Sequence, residues 1–189
     1  MSGDITRRRF LLEALAQFIS AAAKVQGVVR IAVVGSLTTE KASPKDADVL
    51  VTLLDGADLE SLSKLGRKLK GAAQTRNLGA DIFLADQAGR YIGRTCSFKE
   101  CHPRSACAGK SCGARNWICD DFDVVRLARE LIAEPPLELW PQVVVRATLP
   151  ADAREILIGK AQHAPVRGAT NPSLRSSTQL LGGRDGDGV

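Results

Sequence analysis

Apolar positions along the front half of the chain repeat with two different periods, and the switches between them mark the elements. Phe10, Ala14, Leu15, Phe18, Ile19 and Ala22 recur at steps of three and four, which predicts an amphipathic helix over about residues 5–25. "GVVRIAVVGS" (Gly27 to Ser36) is a short apolar run closed by Gly-Ser and reads as a strand. A loop with Ser43-Pro44-Lys45 as its turn signal leads to a second strand, "ADVLVTLL" (Ala47 to Leu54). Leu59, Leu62, Leu65 and Leu69 return to helical spacing within Ala57 to Gln74, a helix that crosses back over the sheet. "LGADIFLAD" (Leu78 to Asp86) is the next strand, with Asp81 among apolar neighbours. This order predicts an α/β (α+β) fold, a small mixed sheet with flanking helices.

Beyond residue 90 the pattern changes. Tyr91 to Cys119 shows little periodicity and holds all five cysteines. "DDFDVVRLARELIAE" (Asp120 to Glu134) reads as a helix with acids in its first turn, stopped by Pro135-Pro136. A short strand is expected after Pro141, and another helix from about Ala151. The tail from residue 164 is rich in Gly, Ser, Pro and Arg and is expected to be disordered. The expected organisation is therefore a core over 1–90, a Cys-rich module over 91–119, a helical extension over 120–163 and a tail over 164–189.

Composition changes this picture little. At 189 residues the chain suits one domain with an appendage, and a formal charge of +5 suits an anionic partner. No apolar run approaches the roughly 20 residues needed to span a bilayer, so no membrane partner is expected. "TRRRFLL" (Thr6 to Leu12) resembles a twin-arginine export signal, but Glu13, Gln17 and Lys24 interrupt the apolar stretch. A packed helix and a cytoplasmic location are the expectation.

The chemistry begins at "GSLTTEKASPKDADVLV" (Gly35 to Val51). Strand alternation puts Asp46 and Asp48 on one face, where side-by-side carboxylates repel and resist burial. A divalent cation would relieve both costs. If the strand of Asp81 is a neighbour, three carboxylates converge where Gly35-Ser36 leaves the first strand. Gly35 permits close backbone approach to a ligand, and Ser36 offers a hydroxyl to a phosphate.

Gly35-Ser36, ten residues, Asp46-Ala47-Asp48-Val49, and later Asp81 between Ala80 and Ile82 together resemble the nucleotidyltransferase (polymerase-β-like) superfamily. The nearest likeness is to minimal stand-alone prokaryotic members, including antitoxin-like and antibiotic-modifying ones, and it covers about residues 8–86. The resemblance implies that Asp46 and Asp48 ligate Mg²⁺ (or Mn²⁺). It implies that Asp81 helps bind the catalytic ion and activates the incoming hydroxyl, and that Gly35 and Ser36 hold the triphosphate of an NTP such as ATP. The implied activity is transfer of an NMP to a hydroxyl or phosphate acceptor on a protein, an RNA or a small molecule.

A second constellation is Cys96, Cys101, His102, Cys107, Cys112 and Cys119. Five soft ligands within about two dozen residues, in a chain expected to meet a reducing compartment, point to a bound metal rather than disulfides. Structural Zn²⁺ is the first choice, held by Cys101, Cys107 and Cys112 with Cys96 or Cys119, or with His102; an iron–sulfur cluster uses the same thiolates. His163 is not expected to act as a ligand. Basic residues in this module suit RNA or another anionic partner. The alternative function is therefore a zinc-containing nucleic-acid-binding or antitoxin-like protein on an idle nucleotidyltransferase scaffold.

Overall fold

The apolar runs pair into one sheet. The computed structural model describes residues 2–97 and 117–159. In it α1 (Ser2–Ala22) leads into β1 (Val28–Val34), a 3-10 turn (Gly35–Thr38), β2 (Asp46–Leu53), α2 (Leu59–Gln74) and β3 (Gly79–Asp86). There follow β4 (Tyr91–Thr95), β5 (Ile118–Cys119), α3 (Arg129–Ala133), β6 (Leu137–Trp140), β7 (Val144–Val145) and α4 (Ala151–Ala153). From α4 the chain runs through a π-type turn to Ile158. The seven strands lie in the order β5-β4-β3-β2-β1-β6-β7. β2 and β3 are parallel and joined by α2, as a parallel pair requires a crossover; the other neighbours are antiparallel. The fold is thus a mixed α+β sheet with flanking helices.

Strand alternation assigns each residue to a face. Ile31 and Val33, Ala47, Val49 and Val51, and Ala80, Ile82 and Leu84 are buried in a core shared with α1 and α2. The buried stripe of α1 is Leu11, Leu12, Leu15, Phe18, Ile19 and Ala22; Phe10 and Ala14, expected within it, sit at its edge. Phe10 is covered by the Arg76 guanidinium, 4.5 Å from its ring centre. On α2, Leu62 and Leu69 are buried, and Asp58 caps the helix by accepting from the Ser61 N–H at 3.0 Å. Among the described residues, the opposite sheet face has a small apolar cluster, Val34, Leu50, Ala85 and Ile132, with Phe83, Tyr91, Leu127 and Leu131 around it. Where β2 and β3 begin, that face carries carboxylates instead.

Three expectations change. Tyr91–Thr95 and Ile118–Cys119, read as part of a separate Cys-rich module, join the sheet as β4 and β5. The helix expected over Asp120–Glu134 shrinks to Arg129–Ala133. The buried Asp121 is held by Tyr91 and Arg94 of β4, its carbonyl closes a turn with the Val124 and Val125 N–H groups, and two adjacent β-branched valines add little helical drive. In the expected helical extension over 120–163, a strand does follow Pro141, as β7, but β6 precedes it and pairs with β1. Glu138 disguised β6 as polar; in place it is buried and meets Arg30 at 3.0 Å and Arg146 at 3.2 Å. The expected disordered tail, and His163, lie outside the described residues. Among those residues, no helix is long and apolar enough to cross a membrane.

Candidate active site

Sheet register builds the site. β1 ends at Val34, paired with Asp48 of β2; on the other side of β2, Asp48 is paired with Asp81 and Asp46 with Gly79 of β3. Asp46, Asp48 and Asp81 therefore occupy one face at one end of two adjacent parallel strands, as the sequence predicts. The chain leaves β1 through Gly35, whose φ of +72° is a left-handed conformation. Asp48 leans over Gly35 so closely that a Cβ there would collide with its Oδ2, and Asp46 lies over Gly79 in the same way. The turn beyond is closed by Thr38 Oγ1 donating to the Gly35 carbonyl at 2.8 Å and Thr39 Oγ1 to the Ser36 carbonyl at 2.9 Å. Gly35 is exposed and Ser36 half-buried.

The electrostatics divide the acids. Burial, and then the neighbouring Asp46 and Asp81, push the Asp48 carboxyl up to about 6. Asp81 instead meets Arg94 Nη1 at 2.9 Å and Lys70 Nζ at 3.5 Å. Arg94 Nε is ion-paired with Asp121, whose side chain is only 4% exposed, and Tyr91 donates its hydroxyl to the other Asp121 oxygen at 2.6 Å. Burial together with this carboxylate raises the Tyr91 phenol far above its usual range, so it remains a donor. Against the cost of burial, Asp81 and Asp121 raise the Arg94 pKa further and keep it charged.

Lys70, Arg94, Asp121 and Tyr91 were not among the expected site residues. The register of β4 against β3 shifts between Leu84 and Ala85, which brings Tyr91 and Arg94 to the same face although they are three apart. A strict period of two would have separated them.

Among the described residues, no three His, Cys, Asp or Glu side chains already close around a common point as a metal site. Asp81 is committed to its two cations, while Asp48 faces two acids and, among the described residues, no cation within ion-pair distance. This donor set fits a hard divalent cation: Asp46 and Asp48 would hold it, and it would compete with Lys70 and Arg94 for Asp81.

A further device holds the chain beyond the turn. Arg8 of α1, only 6% exposed, donates to the carbonyls of Leu37 (3.0 Å), Thr39 (3.2 Å) and Lys41 (3.1 Å), and its Nε meets Asp152 at 2.7 Å. One guanidinium thus ties α1 and α4 to the segment that carries Ser36 away from the site.

Gly35→Ala is expected to lower stability by about 1–2 kcal/mol, because alanine meets both the left-handed backbone and the Asp48 carboxylate. Chemical denaturation reads the loss. An unchanged midpoint would mean that turn and carboxylate can separate at little cost.

The second constellation is only partly in view. Cys96 is buried just after β4, its N–H donating to the Trp117 carbonyl at 2.7 Å, and Cys119 on β5 pairs with Arg94. Cys101, His102, Cys107 and Cys112 lie outside the described residues.

Fold and site together define a mixed α+β protein with a carboxylate-bearing sheet face beside a glycine turn. The chain belongs to DUF6932, a family of unknown function whose model matches residues 1–105. All three acids, Gly35 and Ser36 fall inside that match; Cys107, Cys112 and Cys119 fall beyond it. No curated protein and no solved structure matches the chain.

Proposed function

We propose that the protein is a nucleotidyltransferase that moves an NMP from an NTP to an acceptor. The observation that carries this is the register: Asp48 lies between the Gly35 turn on one side and Asp81 on the other, with Asp46 two residues away on the same face. In this reading Gly35 and Ser36 receive the β- and γ-phosphates, since a glycine at the turn allows close approach. Asp46 and Asp48 would hold Mg²⁺ or Mn²⁺. Bound there, a divalent ion would neutralise phosphate charge and favour in-line displacement. Asp81 accepts the acceptor's hydroxyl proton as that oxygen bonds to the α-phosphorus. The bond from the α-phosphorus to the bridging oxygen breaks, and pyrophosphate leaves with the electron pair. Arg94, fixed by Asp121 and Tyr91, keeps Asp81 in place for this role.

The cysteine segment belongs to the same proposal as a structural zinc module. β4 and β5 pair Thr95 with Ile118, and Cys96 and Cys119 flank in sequence the stretch that carries Cys101, Cys107 and Cys112. In this proposal either thiolate would complete a set with Cys101, Cys107 and Cys112.

Thermal unfolding with each NTP, with and without Mg²⁺, tests the transferase reading. At a hundred times its Kd a bound NTP should add about 2.7 kcal/mol of stability, and only when metal is present. No stabilisation by any NTP with Mg²⁺ or Mn²⁺ would overturn it.

A further inference from the structure

The groups at the site form an ordered row across the sheet. Gly35 and Ser36 lie at the end of β1, Asp46 and Asp48 on β2, Asp81 on β3, and Arg94 on β4. In-line displacement places the leaving pyrophosphate and the attacking oxygen on opposite sides of the α-phosphorus. With the leaving group at the β1 end, the acceptor must arrive from the β3–β4 side.

That side is open. The pairing of β3 with β4 stops at Phe83 and Arg94, short of Asp81. Beside Asp81 a small polar cleft lies between α2 and the ends of β3 and β4, lined by Gly66, Arg67, Lys70, Thr95 and Cys96. Gly66 lets α2 come close: a Cβ there would stand 3.0 Å from Thr95 Oγ1. Arg67 lies over the Trp117 ring at 5.6 Å, and Lys70 reaches Asp81 at 3.5 Å. Asp81 is the acid lining this cleft, and the proposed reaction commits it to the metal and the acceptor proton. Lys70 would then be released beside Arg67 and the Thr95 hydroxyl, which line the cleft next to the position of the attacking oxygen.

We infer that this cleft is the acceptor subsite and that the acceptor carries a phosphate close to its reacting hydroxyl, bound by Arg67 and Lys70 with Thr95. The assignment rests on the nucleotidyltransferase reading. It goes beyond that reading by naming the chemical class of the acceptor and the residues that select it.

Titrating ¹⁵N-labelled protein with inorganic phosphate in saturating Mg²⁺ tests the subsite directly. The amides of Gly66–Lys70 and Thr95–Ser97 should shift, and Arg67→Gln/Lys70→Gln should weaken binding about a hundredfold, roughly tenfold per charge-assisted contact. The same variant should remain folded, and its stabilisation by Mg²⁺–NTP should not fall, because Lys70 competes with the ion for Asp81. Unchanged phosphate affinity in the variant, or shifts confined to Gly35–Thr38, would overturn the subsite. Absence of Mg²⁺–NTP stabilisation in the wild type would instead overturn the transferase reading, and the acceptor role with it, while phosphate shifts at Thr95–Ser97 would still report the anion site. Two further probes separate the sources of the phosphate. Ribose 5-phosphate binding as well as a short 5′-phosphorylated oligoribonucleotide identifies a small phosphorylated acceptor; tighter binding of the oligonucleotide identifies a nucleic-acid end.

Discussion

Asp48→Asn is expected to abolish nucleotidyl transfer and at the same time to make the metal-free protein more stable at neutral pH. The loss of activity follows from the position of Asp48, which in the proposed reaction holds the divalent ion beside both Asp46 and Asp81. Removing its charge should slow transfer by about three orders of magnitude or more, the scale on which a lost metal ligand acts. The gain in stability follows from the cost of ionising this group in the fold. Burial, and then Asp46 and Asp81, raise its pKa from 3.8 to about 6. Between those values the folded state binds more protons than the unfolded chain, so stability falls as pH rises from about 4 to about 6. The penalty is complete above that window. Screening at a partly exposed site reduces it to about 1–2 kcal/mol. Asparagine removes the titration, and its denaturation midpoint should therefore exceed the wild type's at pH 8 and match it near pH 4. Saturating Mg²⁺ should reverse the order at pH 8, because only the wild type gains from the ion. Persistent transfer by the variant would remove Asp48 from the site; a less stable variant in metal-free buffer would mean that the carboxylate has a partner its environment does not reveal.

This opposition between stability and function explains why the acids were legible in the sequence. Aspartates at positions 46 and 48 serve the fold poorly: they stand at the start of a strand, on one face, beside a third acid. A local choice that opposes the fold marks a site. The residues that answer these acids were not legible, because they fit ordinary strand and helix patterns. Lys70 reads as one polar position on an amphipathic helix, and Arg94 as one basic residue in an aperiodic stretch. Only the pairing of β3 with a bulged β4, and of β4 with a two-residue β5, brings Arg94 between Asp81 and Asp121. Front-half elements were recovered to within a few residues because their apolar periods are long and uniform. The back half depends on contacts distant in sequence: β6 exists through β1, and the turn at Asp121 through Tyr91 and Arg94.

Arg8 shows the same limit with the largest consequence for stability. In the sequence it belongs to a run of three arginines that resembles an export signal; in the fold it is a buried cation with four hydrogen-bonded acceptors. Arg8→Met keeps most of the apolar stem but leaves the carbonyls of Leu37, Thr39 and Lys41 without this donor. The expected loss is about 3–5 kcal/mol, about 1–2 kcal/mol for each of the three carbonyls that loses a charged donor, and urea denaturation of the two proteins measures it. Arg8→Lys should recover only part, because one ammonium cannot reproduce the planar fork that spans Nε, Nη1 and Nη2. Asp152→Asn should cost under about 1 kcal/mol, since the carboxylate is 39% exposed and leaves Arg8 its three carbonyls. That ranking separates a clamp on the loop from a simple ion pair. If Asp152→Asn cost as much as Arg8→Met, the ion pair would be the feature that matters and the carbonyl contacts incidental. If the clamp is correct, Arg8→Met should also weaken Mg²⁺–NTP binding at temperatures where the variant is fully folded. The segment it releases begins at Leu37, one residue beyond Ser36, so the turn that receives the outer phosphates would lose its anchor to α1.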